Sequence, residues 1–262
     1  MASKSVHPVE TLREHASALE AAMAVAVADP AKPAVHHLRA MVRRLESQVE
    51  LLQQLAAMRE DSPEATEVHR RLAKLRRAAG QVRDLDVQRK MLKRHPSLPK
   101  RAAAELREEL KETRAAKAKK LQRVLMKQLP RMAGAIEQMV QSVGTANGLV
   151  VPDLKLVPLI ERWTQRESIG EPNALDDEQL HAVRKSAKSA RYMVENASGS
   201  ARAKKAEAKY EALQDAGGQW HDWLDLTETS REYFGKRHPL TVAAAERCKA
   251  ARAKYVGLLG SS

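Results

Sequence analysis

Apolar residues recur at helical spacing in two distant parts of the chain. One series lies between residues 34 and 59 and consists of Leu38, Val42, Leu45, Val49 and Leu52. The other lies between residues 176 and 197 and consists of Val183, Ala187, Ala190 and Val194. Because residues three or four apart share one face of an α-helix, each series predicts an amphipathic helix with one buried face.

Proline, glycine and capping residues divide the rest of the chain into further helices. Proline is tolerated in the first helical turn and interrupts a helix elsewhere. We therefore expect helices near residues 8–29, 34–59, 63–95, from 100 onward, 153–167, 176–197, 200–230 and 239–258. Pro130 should kink or end the fourth helix. Residues 144–152 are expected to link two four-helix bundles, 8–143 and 153–258.

Composition supports an all-α fold. The chain has 262 residues, of which only 3% are aromatic, while alanine, leucine and charged helix-forming residues are abundant. The single cysteine, Cys248, cannot form an intramolecular disulfide. The sequence has no apolar run long enough to span a membrane and no signal-peptide pattern. We therefore expect a cytoplasmic protein with no membrane association.

Positive charge is concentrated in three segments. The formal net charge is +13. Residues 69–94 contain ten Lys/Arg and two acidic residues. Residues 111–131 contain eight Lys/Arg and one acidic residue, and residues 181–209 contain eight Lys/Arg and two acidic residues. Such segregation produces a focused positive field and favours a polyanionic partner.

The two amphipathic helices carry the same cationic pattern on the face opposite their apolar series. His36, Arg39 and Arg43 recur 145 positions later as His181, Arg184 and Lys188. The spacing places each set within about 60° of helix rotation. We interpret the pair as one polyanion site assembled from two related halves.

A second repeat supports internal duplication. Gly80-Gln81 precedes Asp84, and Gly218-Gln219 precedes Asp222, at an offset of 138 residues. A glycine inside a helix costs about 1 kcal/mol relative to alanine, so its occurrence at both places indicates close helix contact or a local kink. The two aspartates are expected to orient neighbouring arginines through salt bridges.

Four segments in this order resemble the CHAD domain family, whose helical domains are named for conserved histidines. These segments are residues 35–45, 80–87, 180–192 and 213–222, and the resemblance extends over about residues 8–258 of a single domain, 1–262. It implies two pseudo-symmetric four-helix bundles with their basic faces around a central cavity. It further implies binding of inorganic polyphosphate and association with polyphosphate granules. Glu46 departs from the family pattern, which often has another arginine there.

Arginine and lysine donors suit phosphate oxygens, and histidine charge should strengthen binding as the pH falls from about 8 to 6. We expect no metal or cofactor. The candidate polyphosphate-binding residues are His36, Arg39, Arg43, Arg44, Arg76, Arg77, Arg83, Arg114, Lys117, Lys120, Arg123, His181, Arg184, Lys185, Lys188 and Arg191.

Catalysis is not expected, since the sequence has neither a phosphate-binding glycine loop nor clustered carboxylates for magnesium. Two alternatives remain open. One is a nucleic-acid-binding protein, although the basic faces carry almost no aromatic residue for base stacking except Tyr192. The other is a helical scaffold that binds acidic partner proteins.

Overall fold

The all-α prediction is confirmed. The structure is a computed structural model that describes residues 5–167, 172–197 and 200–260. Two short antiparallel strands, β1 (Ser5–Val6) and β2 (Val151–Pro152), accompany the helices. The α-helices within the described residues are α1 (Pro8–Ala28), α2 (Lys32–Gln54), α3 (Pro63–Arg94), α4 (Lys100–Ser142), α5 (Asp153–Glu167), α6 (Asp177–Val194), α7 (Ala201–Phe234) and α8 (Pro239–Gly260).

Of the two outcomes expected at Pro130, a kink or an end of the helix, the second is wrong, because α4 continues through Pro130. A proline in a helix interior removes one backbone hydrogen bond and costs about 3 kcal/mol. Burial on both sides of Pro130 offsets that cost, because Leu125 and Met132 are fully buried and Ile136 is 5% exposed.

The predicted apolar faces are confirmed. Each of the five apolar residues noted on α2 is fully buried, and those noted on α6 are at most 6% exposed. Burial of these faces fixes the rotation of α2 and α6 about their axes. Their cationic residues therefore point to the opposite side.

Three apolar clusters hold the helices together. The first joins α1, α2, α3 and the second half of α4. The second joins α5 to α8 and the two strands, and it also takes in Leu51 from α2. The third is shared, because Leu92 and Leu106 from α3 and α4 pack with Leu226 and Leu240 from α7 and α8.

The division into bundles 8–143 and 153–258 stays a prediction, since the shared cluster and Leu51 join the two parts of the chain. Residues 1–4, 168–171, 198–199 and 261–262 of the predicted domain lie outside the described residues. Helix α2 packs against α6 and α3 packs against α7, which brings the two repeats together. Within the described ranges, every helix is too short or too polar to cross a bilayer.

Candidate functional site

A cavity of about 730 Å³ lies between α2, α3, α6 and α7. Its charged wall contains eight arginine and lysine side chains and three aspartates. Two histidines, His181 and His221, complete the titratable groups. The eight cationic residues are Arg39, Arg43, Arg76, Arg77, Arg83, Arg184, Lys185 and Lys188.

The start of α6 is fixed by a capping box. The Asp176 carboxylate accepts a hydrogen bond from the Gln179 backbone N–H at 2.8 Å, and the Gln179 side-chain oxygen accepts one from the Asp176 N–H at 2.9 Å. Such reciprocal bonds satisfy N–H groups that a helix start otherwise leaves unpaired. The cap and the buried apolar face together direct Arg184 and Lys188 toward the cavity.

Two glycines allow the cavity arginines to lie against neighbouring helices. A Cβ at Gly80 would stand 2.9 Å from Arg39 Nη1, and a Cβ at Gly217 would stand 3.0 Å from Arg184 Cγ. The close contact expected from the glycine repeat is therefore confirmed. In the second repeat the alignment predicted this contact at Gly218, and that position is wrong by one residue. The glycine in contact is Gly217, because a Cβ at Gly218 would meet nothing within 4 Å.

Carboxylates neutralise only part of the cavity's charge. Arg83 Nη1 donates to Asp222 Oδ1 at 2.9 Å and lies 3.4 Å from Asp84 Oδ1, which confirms the expected orienting role of both aspartates. Glu46 pairs with Arg43 at 3.3 Å and with Arg76.

The other five cationic side chains of the cavity form no ion pair within 4 Å among the described residues. They are Arg39, Arg77, Arg184, Lys185 and Lys188.

Burial and mutual repulsion disfavour charge on several of these groups. Burial, followed by the nearby Arg43, lowers the pKa of Lys188 to about 7. Burial also lowers the pKa of Arg39 to about 10, despite the opposing effect of Asp84. The pKa of Arg184 is lowered first by burial and then by Arg43. Like charges packed this closely favour a ligand that carries negative charge.

The pKa shifts of the histidines oppose the expectation that histidine charge strengthens binding as the pH falls from about 8 to 6. Burial, then Arg184 and Lys185, lowers the pKa of His181 to about 4. The His36 side chain is exposed overall but partly desolvated, and this desolvation, followed by the nearby Arg83, also lowers its pKa. The His181 ring is therefore largely neutral near pH 7 in the ligand-free protein, and the His36 shift is in the same direction.

Two of the arginines that line the cavity each have a buried donor without a partner. The Nε–H groups of Arg43 and Arg184 have almost no exposed surface and make no hydrogen bond within the described part of the chain. A buried donor left unsatisfied costs about 1–3 kcal/mol.

Nine of the sixteen predicted site residues line the cavity, namely the eight cations above and His181. His36 is exposed and outside the lining, although it is close enough to Arg39 and Lys188 for their charge to lower its pKa. Arg44 and Arg191 instead pair with Glu195 at 3.1 and 2.8 Å and lie over the Tyr192 ring.

The four candidates on α4 do not line the cavity. Arg114 donates to both oxygens of Asp86 at 3.2 and 3.3 Å and to the Pro30 carbonyl at 2.9 Å. Lys117 borders an adjacent, largely acidic pocket that shares Gln81 and Asp84 with the cavity. Lys120 and Arg123 are exposed.

His221 is a cavity residue absent from the predicted site. Its ring centroid lies 4.9 Å from that of His181, and its Nδ1 atom lies 3.0 Å from Asp225 Oδ2. The repeat contained a signal for it, since the 138-residue offset aligns His221 with Arg83. Gln214, Asp215 and Gln219 also line the cavity and share this region of α7.

The described residues contain no cluster of three or more His, Cys, Asp or Glu side chains placed to hold a metal ion. The eight arginine and lysine side chains of the cavity lining supply hydrogen-bond donors. Donors of this kind suit the oxygens of an anion directly.

The family model of the CHAD domain matches residues 10–229. The chain belongs to the CHAD domain family. This CHAD domain has no match among curated proteins. Its fold is similar to the crystal structure of the CHAD domain from the plant Ricinus communis, with a TM-score of 0.66 and 17% identity over 100% of this chain and 89% of that one.

A second similar structure is PptA from Streptomyces chartreusis, with a TM-score of 0.64 and 16% identity. That comparison covers 97% of this chain and 98% of the other. At these identities the two structures establish the fold of the CHAD domain. The match to the family model is the separate, sequence-based evidence of membership.

Proposed function

We propose that the cavity binds inorganic polyphosphate and that this binding can target the protein to polyphosphate granules in the cytoplasm. CHAD domains are known in general for binding polyphosphate. The observation that carries the proposal is the set of five cavity cations without an ion-pair partner among the described residues. A linear chain of phosphates supplies closely spaced negative oxygens without requiring any contact to a base or sugar.

Each side chain has a defined role in this proposal. Arg39 and Arg184 present guanidinium groups that bind phosphate oxygens through two parallel hydrogen bonds. Lys188 lies among the arginines as a compact charge, and a bound phosphate would favour its protonated form. Arg83 is held by Asp222 and contributes less free charge.

Duplex and single-stranded nucleic acids are the main competing ligands, because backbone charge alone attracts them. The described cavity wall contains no tyrosine, tryptophan or phenylalanine on which bases could stack. Tyr192, the one aromatic residue of the basic faces, is 8% exposed. These observations favour a ligand without bases.

The test is titration with long-chain polyphosphate at low and physiological salt, with DNA and RNA of equal charge as competitors. The site variant is R39Q/R184Q/K188Q. The matched control, K120Q/R123Q/K127Q, removes the same number of charges from exposed positions on α4. We expect the site variant to lose at least about a hundredfold in affinity and the control to lose less than about threefold.

Equal losses in the two variants, or equal affinity for all three polymers, would overturn the proposal of a shaped polyphosphate site. Binding that survives in the site variant would instead favour the scaffold alternative.

We also propose that the protein binds polyphosphate without cleaving it. Incubation with polyphosphate and magnesium should leave the chain-length distribution unchanged, and chain shortening would contradict this. Granule targeting has a separate test. A fluorescent fusion of the native protein should concentrate on granules, and so should a fusion of the control variant. A fusion of the site variant should remain diffuse.

A further inference from the structure

Glu46 is a buried carboxylate directly behind the cavity wall. It is 9% exposed and lies on α2, one helical turn beyond Arg43. Its Oε2 atom accepts a hydrogen bond from Arg43 Nη1 at 3.3 Å, and its Oε1 atom accepts one from Arg76 Nη1 on α3. Glu46 itself does not line the cavity, whereas both arginines do.

We propose that Glu46 is an internal counter-charge that lowers the affinity of the cavity for polyphosphate, an inference that rests on the function proposed above. Its carboxylate occupies one donor on each of two guanidinium groups, and each guanidinium has five N–H donors. Both arginines can therefore still reach a ligand, but their charge is partly compensated. The same carboxylate repels every phosphate that enters this part of the cavity.

Two opposite consequences of removing Glu46 must be compared. The loss of its hydrogen bonds frees two side chains and weakens their orientation. The loss of its charge removes repulsion that acts on all nearby phosphates and is poorly screened at a buried position. The electrostatic effect is larger because glutamine keeps one oxygen that can still accept from Arg43 or Arg76.

Glu46→Gln should therefore bind polyphosphate about tenfold more tightly than the native protein. One more uncompensated cation should also steepen the dependence of log affinity on log salt by about 0.7 to 1. A purely structural role would not produce that steeper dependence. Glu46→Asp separates charge from geometry, because it keeps the carboxylate and shortens the side chain.

Glu195 offers a matched control. It also accepts hydrogen bonds from two arginines, Arg44 at 3.1 Å and Arg191 at 2.8 Å, but none of these three residues lines the cavity. Glu195→Gln therefore removes the same charge from the same kind of arginine pair. Its affinity for polyphosphate should change by less than about threefold.

The experiment titrates the full chain and the three variants with long-chain polyphosphate at three salt concentrations, with circular dichroism to verify folding. Tighter binding of Glu46→Gln, a steeper salt dependence and near-native affinity of Glu46→Asp would support the inference. Unchanged or weaker binding of Glu46→Gln would overturn it while native binding still supports the proposed function. If neither the native protein nor Glu46→Gln binds, both proposals fail.

Discussion

Gly80 lies so close to Arg39 that a Cβ added to the glycine would stand 2.9 Å from the guanidinium Nη1 atom. The contact joins α3 to the cationic face of α2. It limits where the Arg39 side chain can lie, and it places the guanidinium at the cavity wall.

Gly80→Ala should weaken polyphosphate binding severalfold, because the new methyl group displaces the Arg39 guanidinium. The side chain can move, and alanine favours a helix over glycine by about 1 kcal/mol, so stability should be maintained or rise. Calorimetric titration and thermal unfolding measure the two effects.

Gly218→Ala is the control for this substitution. Gly218 also lines the cavity, but a Cβ there would meet nothing within 4 Å. The variant should gain stability from the higher helix propensity of alanine and should bind polyphosphate with native affinity. A loss of affinity in this control equal to that of Gly80→Ala would contradict the assigned role of the Arg39 contact.

Lys188→Arg should remove much of the pH dependence of binding near neutrality. The pKa of Lys188 is about 7 in the ligand-free protein, so a polyanion must draw in a proton when it binds above that pH. Native affinity should therefore fall as the pH rises from about 6 to 9. Arginine stays charged throughout this range and should give a flatter profile.

His181→Asn tests the alternative origin of pH dependence. The pKa of His181 is about 4, so the neutral ring should contribute little change in charge between pH 6 and 9. The variant should retain the native slope of affinity against pH. A flat profile in His181→Asn, with the slope preserved in Lys188→Arg, would assign the effect to the histidine instead.

Lys188→Met should raise the midpoint of thermal unfolding of the ligand-free protein at pH 6 by a few degrees. The folded-state pKa of about 7 lies below the ordinary lysine pKa of 10.5, so the unfolded chain binds more protons between those values. The unfavourable contribution of Lys188 is complete below pH 7 and disappears as the pH rises toward 10.5. The gain from Lys188→Met should therefore be smaller at pH 10, and an equal gain at both pH values would contradict it.

Arg114→Ala should destabilise the fold by about 3 kcal/mol without changing polyphosphate affinity. The substitution leaves Asp86, whose side chain is 8% exposed, without its ion pair. Chemical denaturation measures the first effect and titration the second. Arg123→Ala is the matched control on the exposed face of α4 and should change neither quantity.

Helix positions could be predicted well from local signals. Pro8, Pro63 and Pro239 each begin a helix as expected, because proline suits the first turn. The continuation of α4 through Pro130 could not be predicted from local sequence, because it depends on the burial of neighbouring residues in the fold. The strand pair of Ser5–Val6 with Val151–Pro152 was not predicted, because two residues are too few to show an alternating pattern.

The site could be predicted only in part. The cationic faces of α2 and α6 follow from helical periodicity once the apolar faces are known. The role of Arg114 depends on Asp86 and Pro30, which are 28 and 84 positions away, and no local pattern encodes such pairing. The role of Glu46 likewise depends on Arg76, which α3 brings to it.

The shared apolar cluster of α3, α4, α7 and α8 has a further consequence for the lifetime of the protein in the cell. It joins α3 and α4 to α7 and α8, while the cations of α2 and α3 face those of α6 across the cavity and repel them. If polyphosphate is the ligand, each bound chain relieves that repulsion and stabilises the native state by mass action. Resistance to proteases would then vary with the amount of polyphosphate. A cell that exhausts its polyphosphate would therefore also shorten the lifetime of this protein.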